Sequence, residues 1–128
     1  MKNNKQIGVF MDHSAAVLME ISGIVIGQSH IESEFTRQEK HNSLQKGENF
    51  VHSKEKAFQS SYYKEIGNAI KKCNEVLLFG PTDAKSELYN ILKEDHQFDK
   101  IKIDVQNSRK MSEEDMRNTV REHFKVSR

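Results

Sequence analysis

Asp12 is the first residue whose type and place could do chemistry. It follows the apolar run Ile7-Gly-Val-Phe-Met11, where a metal-dependent nuclease or hydrolase would hold one of several carboxylates around paired metal ions at the end of a strand. Glu55 or Glu65 could add an acid from a following helix. The later run Leu78-Phe79-Gly80-Pro81 supplies none. The bland alternative for Asp12 is a turn residue whose carboxylate bonds its own backbone. Six histidines, at 13, 30, 41, 52, 96 and 123, invite a metal reading, but none forms the His-x-x-x-His pair that sets two imidazoles on one helix face. Neither a metal site nor a cofactor is expected. Gly80-Pro81-Thr82 lacks the run of glycines of a phosphate-cradling loop.

A second constellation is basic. Arg37, Lys40, His41, Lys46, Lys54 and Lys56 lie in one stretch and form a candidate RNA-contacting surface, with Phe35 and Phe50 available to stack on bases. Glu34, Glu39, Glu48 and Glu55 are interspersed and nearly neutralise it. The alternative is a solvated connector tethered by its two aromatics.

The chain as a whole gives these residues little electrostatic help. Over 128 residues, 20 Lys and Arg stand against 19 Asp and Glu, so any polyanion binding must be local. The length suits one domain, residues 1–128. The longest apolar runs are far short of the roughly 20 residues that cross a bilayer, and Met1 to Gln6 leads into no export-signal pattern. Cys73 is the only cysteine, which excludes an internal disulfide. These features predict a cytoplasmic protein with no membrane partner.

The elements that must position these residues are legible from periodicity. Ile7 to Met11, Ala15 to Ile21 and Gly23 to His30 are β-branched and apolar, split by Asp12-His13-Ser14 and Ser22-Gly23, which predicts an antiparallel meander. In its second strand Val17, Met19 and Ile21 alternate with Ala16, Leu18 and Glu20, as in a sheet covered mainly on one side. Residues 32–52 lose the pattern and read as a long polar loop; loops of that length are often functional. Ser53 is the expected cap of a helix reaching Cys73, with Phe58, Tyr62, Ile66, Ala69, Ile70 and Cys73 on its buried face. Cys73 on that stripe reads as a small buried side chain.

Val76 to Phe79 is wholly apolar, as a strand covered on both faces would be. Thr82 or Asp83 can cap the next helix, which should carry Leu88, Ile91 and Leu92 inward and end before Asp95-His96, with a strand following at once. There Ile101, Ile103 and Val105 alternate with Lys102, Asp104 and Gln106, as in a strand near an edge. Ser112 and Asp115 suggest a capping box for the last helix, closed by a Met111–Met116 staple, with Met116, Val120 and Phe124 buried. The order is β-β-β-α-β-α-β-α. With right-handed crossovers this is an α/β, ribonuclease H-like (translational machinery component-like) mixed five-stranded sheet.

The run from Ile7 to Gly23, the helix ending at Cys73 and the run Val76-Leu-Leu-Phe-Gly-Pro-Thr-Asp-Ala-Lys-Ser-Glu-Leu88 resemble the middle domain of archaeal and eukaryotic peptide-chain release factors, of the ribosome-rescue protein Pelota, and of their bacterial relatives. The resemblance spans residues 6 to 125 and is carried by patterns of apolar and small residues. It implies the fold just given and a ribosomal or ribosomal-RNA partner. Release factors of this family place Gly-Gly-Gln in the loop before the first long helix, to assist hydrolysis of peptidyl-tRNA. Here that loop reads His41-Asn-Ser-Leu-Gln-Lys-Gly-Glu-Asn-Phe50, without the tripeptide. Gly27-Gln28 falls on the third strand. The family's flanking domains, which address the ribosome or its factors, have no counterpart among these residues.

Three readings follow: a non-catalytic binding module for the ribosome or RNA; a metal-dependent nuclease or hydrolase using Asp12; and a protein-interaction or homo-oligomerisation domain pairing through the strand at Lys100 to Val105.

Overall fold

A computed structural model of the chain describes residues 5–23, 25–33 and 48–125, with side chains from residue 59 onward in the last stretch. Five strands, β1 (Gln6–Met11), β2 (Ala15–Ser22), β3 (Val25–Glu32), β4 (Glu75–Gly80) and β5 (Lys102–Asn107), form one mixed sheet in the order β3-β2-β1-β4-β5. β1, β2 and β3 pair antiparallel as a meander; β4 lies parallel to β1, and β5 parallel to β4. Three helices complete the described residues: α1 (Glu48–Ile70), α2 (Ala84–Lys93) and α3 (Glu113–Phe124).

Both faces of the sheet are covered, which corrects the expectation of a sheet covered mainly on one side. Ile7, Val9, Met11, Ala16, Leu18, Val76 and Leu78 meet Tyr62, Tyr63, Ile66 and Ile70 of α1 and Leu88 and Leu92 of α2. On the other face Met19, Leu77 and Phe79 meet Met116 and Val120 of α3, with Val17, Ile21 and Phe124 partly buried around them. The second strand is therefore apolar on both sides because each side has a helix layer. A fully buried Leu or Ile adds roughly 1.5–3 kcal/mol, so these two clusters are the main source of stability. β4 is buried almost throughout, as its unbroken apolar run requires.

Several local expectations change. β3 continues to Glu32 and α1 starts at Glu48, so Glu48–His52 are helical rather than loop, and Ser53 lies inside the helix instead of capping it. An acidic residue suits the positive end of the helix dipole, and no proline or glycine interrupts the chain between Glu48 and Ile66; the regular apolar stripe from Phe58 is cut off from Phe50 and Val51 by polar residues and does not mark that start. The rest of the expected loop, residues 34–47, lies outside the described residues. α1 stops at Ile70, leaving Cys73 just beyond it, buried, with its N–H on the Ile70 carbonyl. Ala69 is exposed and Tyr63 takes the inward place.

In α2 the inward stripe is Ala84, Leu88 and Leu92, while Ile91 is 51% exposed. Asp83 occupies the cap position without a side-chain cap bond; the Thr82 hydroxyl instead accepts the Ala84 N–H at 3.2 Å. No strand follows at once, because Asp95 caps a single 3-10 turn, His96–Phe98, that buries Phe98. α3 starts as its residues dictate: Ser112 Oγ accepts the Asp115 N–H at 3.1 Å, and Met111 and Met116 join the same cluster.

Candidate functional site

The carboxyl ends of β1 and β4 come together beneath the middle of α1 and the start of α2. Their close approach depends on Gly80, whose φ is +153° and whose added Cβ would stand 2.1 Å from the Met11 carbonyl oxygen. This brings the β1–β2 turn, with Asp12 and His13, to the helix residues Gln59, Tyr62, Tyr63 and Glu87.

Asp12 is committed to the turn. Its Oδ1 accepts from the Ser14 N–H at 2.8 Å, the Ser14 hydroxyl at 3.0 Å and the Ala15 N–H at 3.0 Å. Its backbone carbonyl accepts from the Tyr62 hydroxyl at 2.8 Å. Among the described residues no group of three or more His, Cys, Asp or Glu is arranged to hold a metal ion, and the Glu55 side chain lies outside them. Lys54, Lys56 and Glu55 lie on α1 by backbone position; Arg37, Lys40, His41 and Lys46 lie outside the described residues.

Beside Asp12 stands a constellation that spacing alone does not reveal. Glu87 Oε1 accepts from the Tyr63 hydroxyl at 2.6 Å and lies 3.3 Å from His13 Nε2. Gln59 Nε2 donates to the His13 carbonyl at 2.9 Å. Tyr63's hydrogen bond, with a further contribution from His13, holds the Glu87 carboxyl below its ordinary range, against a smaller opposing effect of burial. Burial, followed by the Asp12 charge, pushes Tyr62 far above the usual phenol range. Burial and then the Glu87 hydrogen bond push Tyr63 up likewise. Both tyrosines are therefore hydrogen-bond donors at neutral pH, and neither is a base. The group acts as a brace between turn, α1 and α2. The three partners are 24 and 74 residues apart along the chain, at no periodic spacing, so only the folded topology gathers them.

Lys85 adds an unexpected feature. It is 2% exposed, and its Nζ turns back to donate to the Thr82 carbonyl, closing the β4–α2 loop on itself. The lysine thus serves the loop's own backbone, where a phosphate-binding loop would present it to a ligand.

α1 also positions the basic segment. Gln59 meets the β1–β2 turn, and Lys54 and Lys56 lie in the turns of α1 that precede it in the chain.

No protein-family model matches the chain, and no curated protein matches it in sequence. Solved structures share this three-layer arrangement, so the fold is Pelota- and release-factor-like. The Pelota protein of Archaeoglobus fulgidus is similar over 95% of this chain, with a TM-score of 0.61 at 10% identity. That of Thermoplasma acidophilum is similar over 97%, with a TM-score of 0.55 at 17% identity. An archaeal translation termination factor, aRF1, is similar over 96%, with a TM-score of 0.57 at 14% identity. The chain spans about a third of each: 32% of either Pelota protein and 35% of aRF1. The likeness is one of fold. Among the described residues no helix is long and apolar enough to cross a membrane.

Proposed function

We propose that this chain is a non-catalytic binding module of the release-factor and Pelota middle-domain type, residues 1–128 forming one unit with a ribonuclease H-like layout. It associates with the ribosome or its RNA through the residues preceding α1 and the first turns of α1, with Arg37, Lys40, His41, Lys46, Lys54 and Lys56 as phosphate contacts. The observation that carries this reading is a translation-factor-like fold reaching across nearly the whole chain, joined to a basic stretch whose last part lies in the first turns of α1. The absence of Gly-Gly-Gln from residues 41–50 supports binding without peptide release. The nuclease alternative draws less support, because Oδ1 of Asp12 accepts three hydrogen bonds within its turn and no metal-holding group of acids forms around it among the described residues.

Purified protein mixed with ribosomes and sedimented at two salt concentrations tests the proposal. Recovery in the ribosome pellet at low salt and release at higher salt is the expected result, since phosphate contacts weaken steeply with salt. Absence from the pellet at low salt would overturn it.

A further inference from the structure

We propose that the free edge of β5 pairs antiparallel with the same edge of a second copy of this chain, about a two-fold axis through Ile103. β5 ends the sheet. The Lys102 N–H reaches the Asn74 carbonyl at 3.0 Å and the Ser108 N–H reaches the Gly80 carbonyl at 3.1 Å. Backbone groups along a strand turn alternately to its two sides. Those of Lys102, Asp104 and Gln106 therefore serve β4, and those of Ile103, Val105 and Asn107 face outward. No backbone group among the described residues pairs with that outer row, and an unpaired row of this kind is a template for another strand.

The side chains select the occupant and the register. Asp104 Oδ2 lies 3.0 Å from His123 Nε2, which puts Lys102, Asp104 and Gln106 on the α3 face. Ile103 packs in the cluster of the opposite face, and Val105, on that same face, is 36% exposed. A two-fold axis perpendicular to the sheet keeps faces together, so only residues of equal parity stand opposite each other. Centred on Ile103, it sets Lys102 of each copy opposite Asp104 of the other, Ile101 opposite Val105, and Ile103 opposite itself. The outward backbone groups of Ile103 then form the central hydrogen-bonded pair, and each Val105 N–H faces the Ile101 carbonyl of the other copy, the Ile101 N–H being held by the Phe98 carbonyl at 3.1 Å.

The neighbouring registers fail on charge. Centring on Lys102 opposes two ammonium groups, and centring on Asp104 opposes two carboxylates; like charges directly opposite destabilise a strand pair. Centring on Val105 sets Asp104 against Gln106 and gains no ion pair. Lysine on an edge usually discourages pairing. Here it is matched by an aspartate two residues on, which makes the edge complementary to itself. This pairing does not rest on ribosome binding and is tested without ribosomes.

Sedimentation velocity of the full chain, from low to high micromolar concentration, reads the association directly. The wild type is expected to move from monomer to dimer across the series. Val105→Pro removes an outward N–H, leaves the ladder to β4 intact and is expected to abolish the dimer. Lys102→Asp sets carboxylates opposite each other twice and is expected to raise the dissociation constant by about tenfold or more. The charge swap Lys102→Asp with Asp104→Lys restores complementarity and is expected to restore the dimer. Circular dichroism confirms that each variant is folded. A wild type that stays monomeric throughout overturns the proposal, as does a dimer that persists in Val105→Pro. A folded charge swap that remains monomeric overturns the register.

Discussion

The Tyr63 hydroxyl donates to Glu87 Oε1 across 2.6 Å, tying the middle of α1 to the first turn of α2. Because this bond favours ionised Glu87, the folded pKa lies below the ordinary value of 4.5. A depressed carboxyl pKa contributes stability above the unfolded value and loses it as pH falls through the folded one. The Tyr63–Glu87 contribution is thus intact at neutral pH and lost in the acid range below about 4.5. Tyr63→Phe is expected to lower stability at pH 7 by about 1 kcal/mol, discounted because the Glu87 side chain is 51% exposed. The deficit should vanish at acid pH. Urea unfolding at a series of pH values checks both, and a deficit independent of pH would contradict the account.

Asp12 separates the turn reading from the nuclease reading. Asp12→Asn keeps an acceptor oxygen and should leave stability within about 0.5 kcal/mol of wild type. Asp12→Ala removes the acceptor of three bonds and should cost about 2 kcal/mol. Equal effects in thermal unfolding would contradict the turn role. A magnesium-dependent cleavage of RNA that Asp12→Asn abolishes would revive the nuclease.

Two glycines mark close approaches of different kinds. At Gly80 an added methyl would meet the Met11 backbone, which cannot move aside, and φ of +153° disfavours any L side chain. Gly80→Ala is expected to cost about 3 kcal/mol or more. At Gly8 the methyl would meet Val120 Cγ2 at 2.3 Å, a side chain of α3. Gly8→Ala should therefore be partly rescued by Val120→Ala, with a coupling of about 1 kcal/mol in a double-mutant cycle. Additive effects would show that α3 does not sit on Gly8.

Burial pushes the Cys73 thiol up to about 11, with a smaller rise from Glu20. The thiolate is the reactive form, so a thiol reagent at pH 8 should label the folded protein at least tenfold more slowly than the urea-unfolded chain, a conservative bound given that shift. Equal rates would contradict the buried placement.

The sequence made the layers of this fold legible where one periodicity dominated. The unbroken run Val76 to Phe79 announced a strand covered on both faces, and Ser112 with Met111 and Met116 announced the start of α3. Alternation in β2 was misleading because both of its faces are apolar, and only the assembled sheet shows that α3 covers the second. The start of α1 was hidden because Phe50 and Val51 are separated from the regular apolar stripe that runs from Phe58 by the polar stretch His52 to Lys56. Ile91 fits the helical spacing, yet it lies at the outer limit of the buried arc. The brace of His13, Tyr63 and Glu87 was illegible, since its members meet only through the parallel pairing of β1 with β4. Lys85 was missed for a related reason: a lysine near a helix start reads as solvated until the loop is seen to fold over it.

The proposed association with the ribosome rests on the basic stretch before and within α1. Its most direct test is the affinity for purified ribosomes as a function of salt, for the wild type and for a variant carrying Arg37→Gln, Lys40→Gln, Lys46→Gln, Lys54→Gln and Lys56→Gln together. Every cation removed from a phosphate should reduce the slope of log affinity against log salt by roughly 0.7–0.9. The variant is expected to bind more weakly at low salt and to show a shallower slope. Affinity and slope equal to those of the wild type would contradict it.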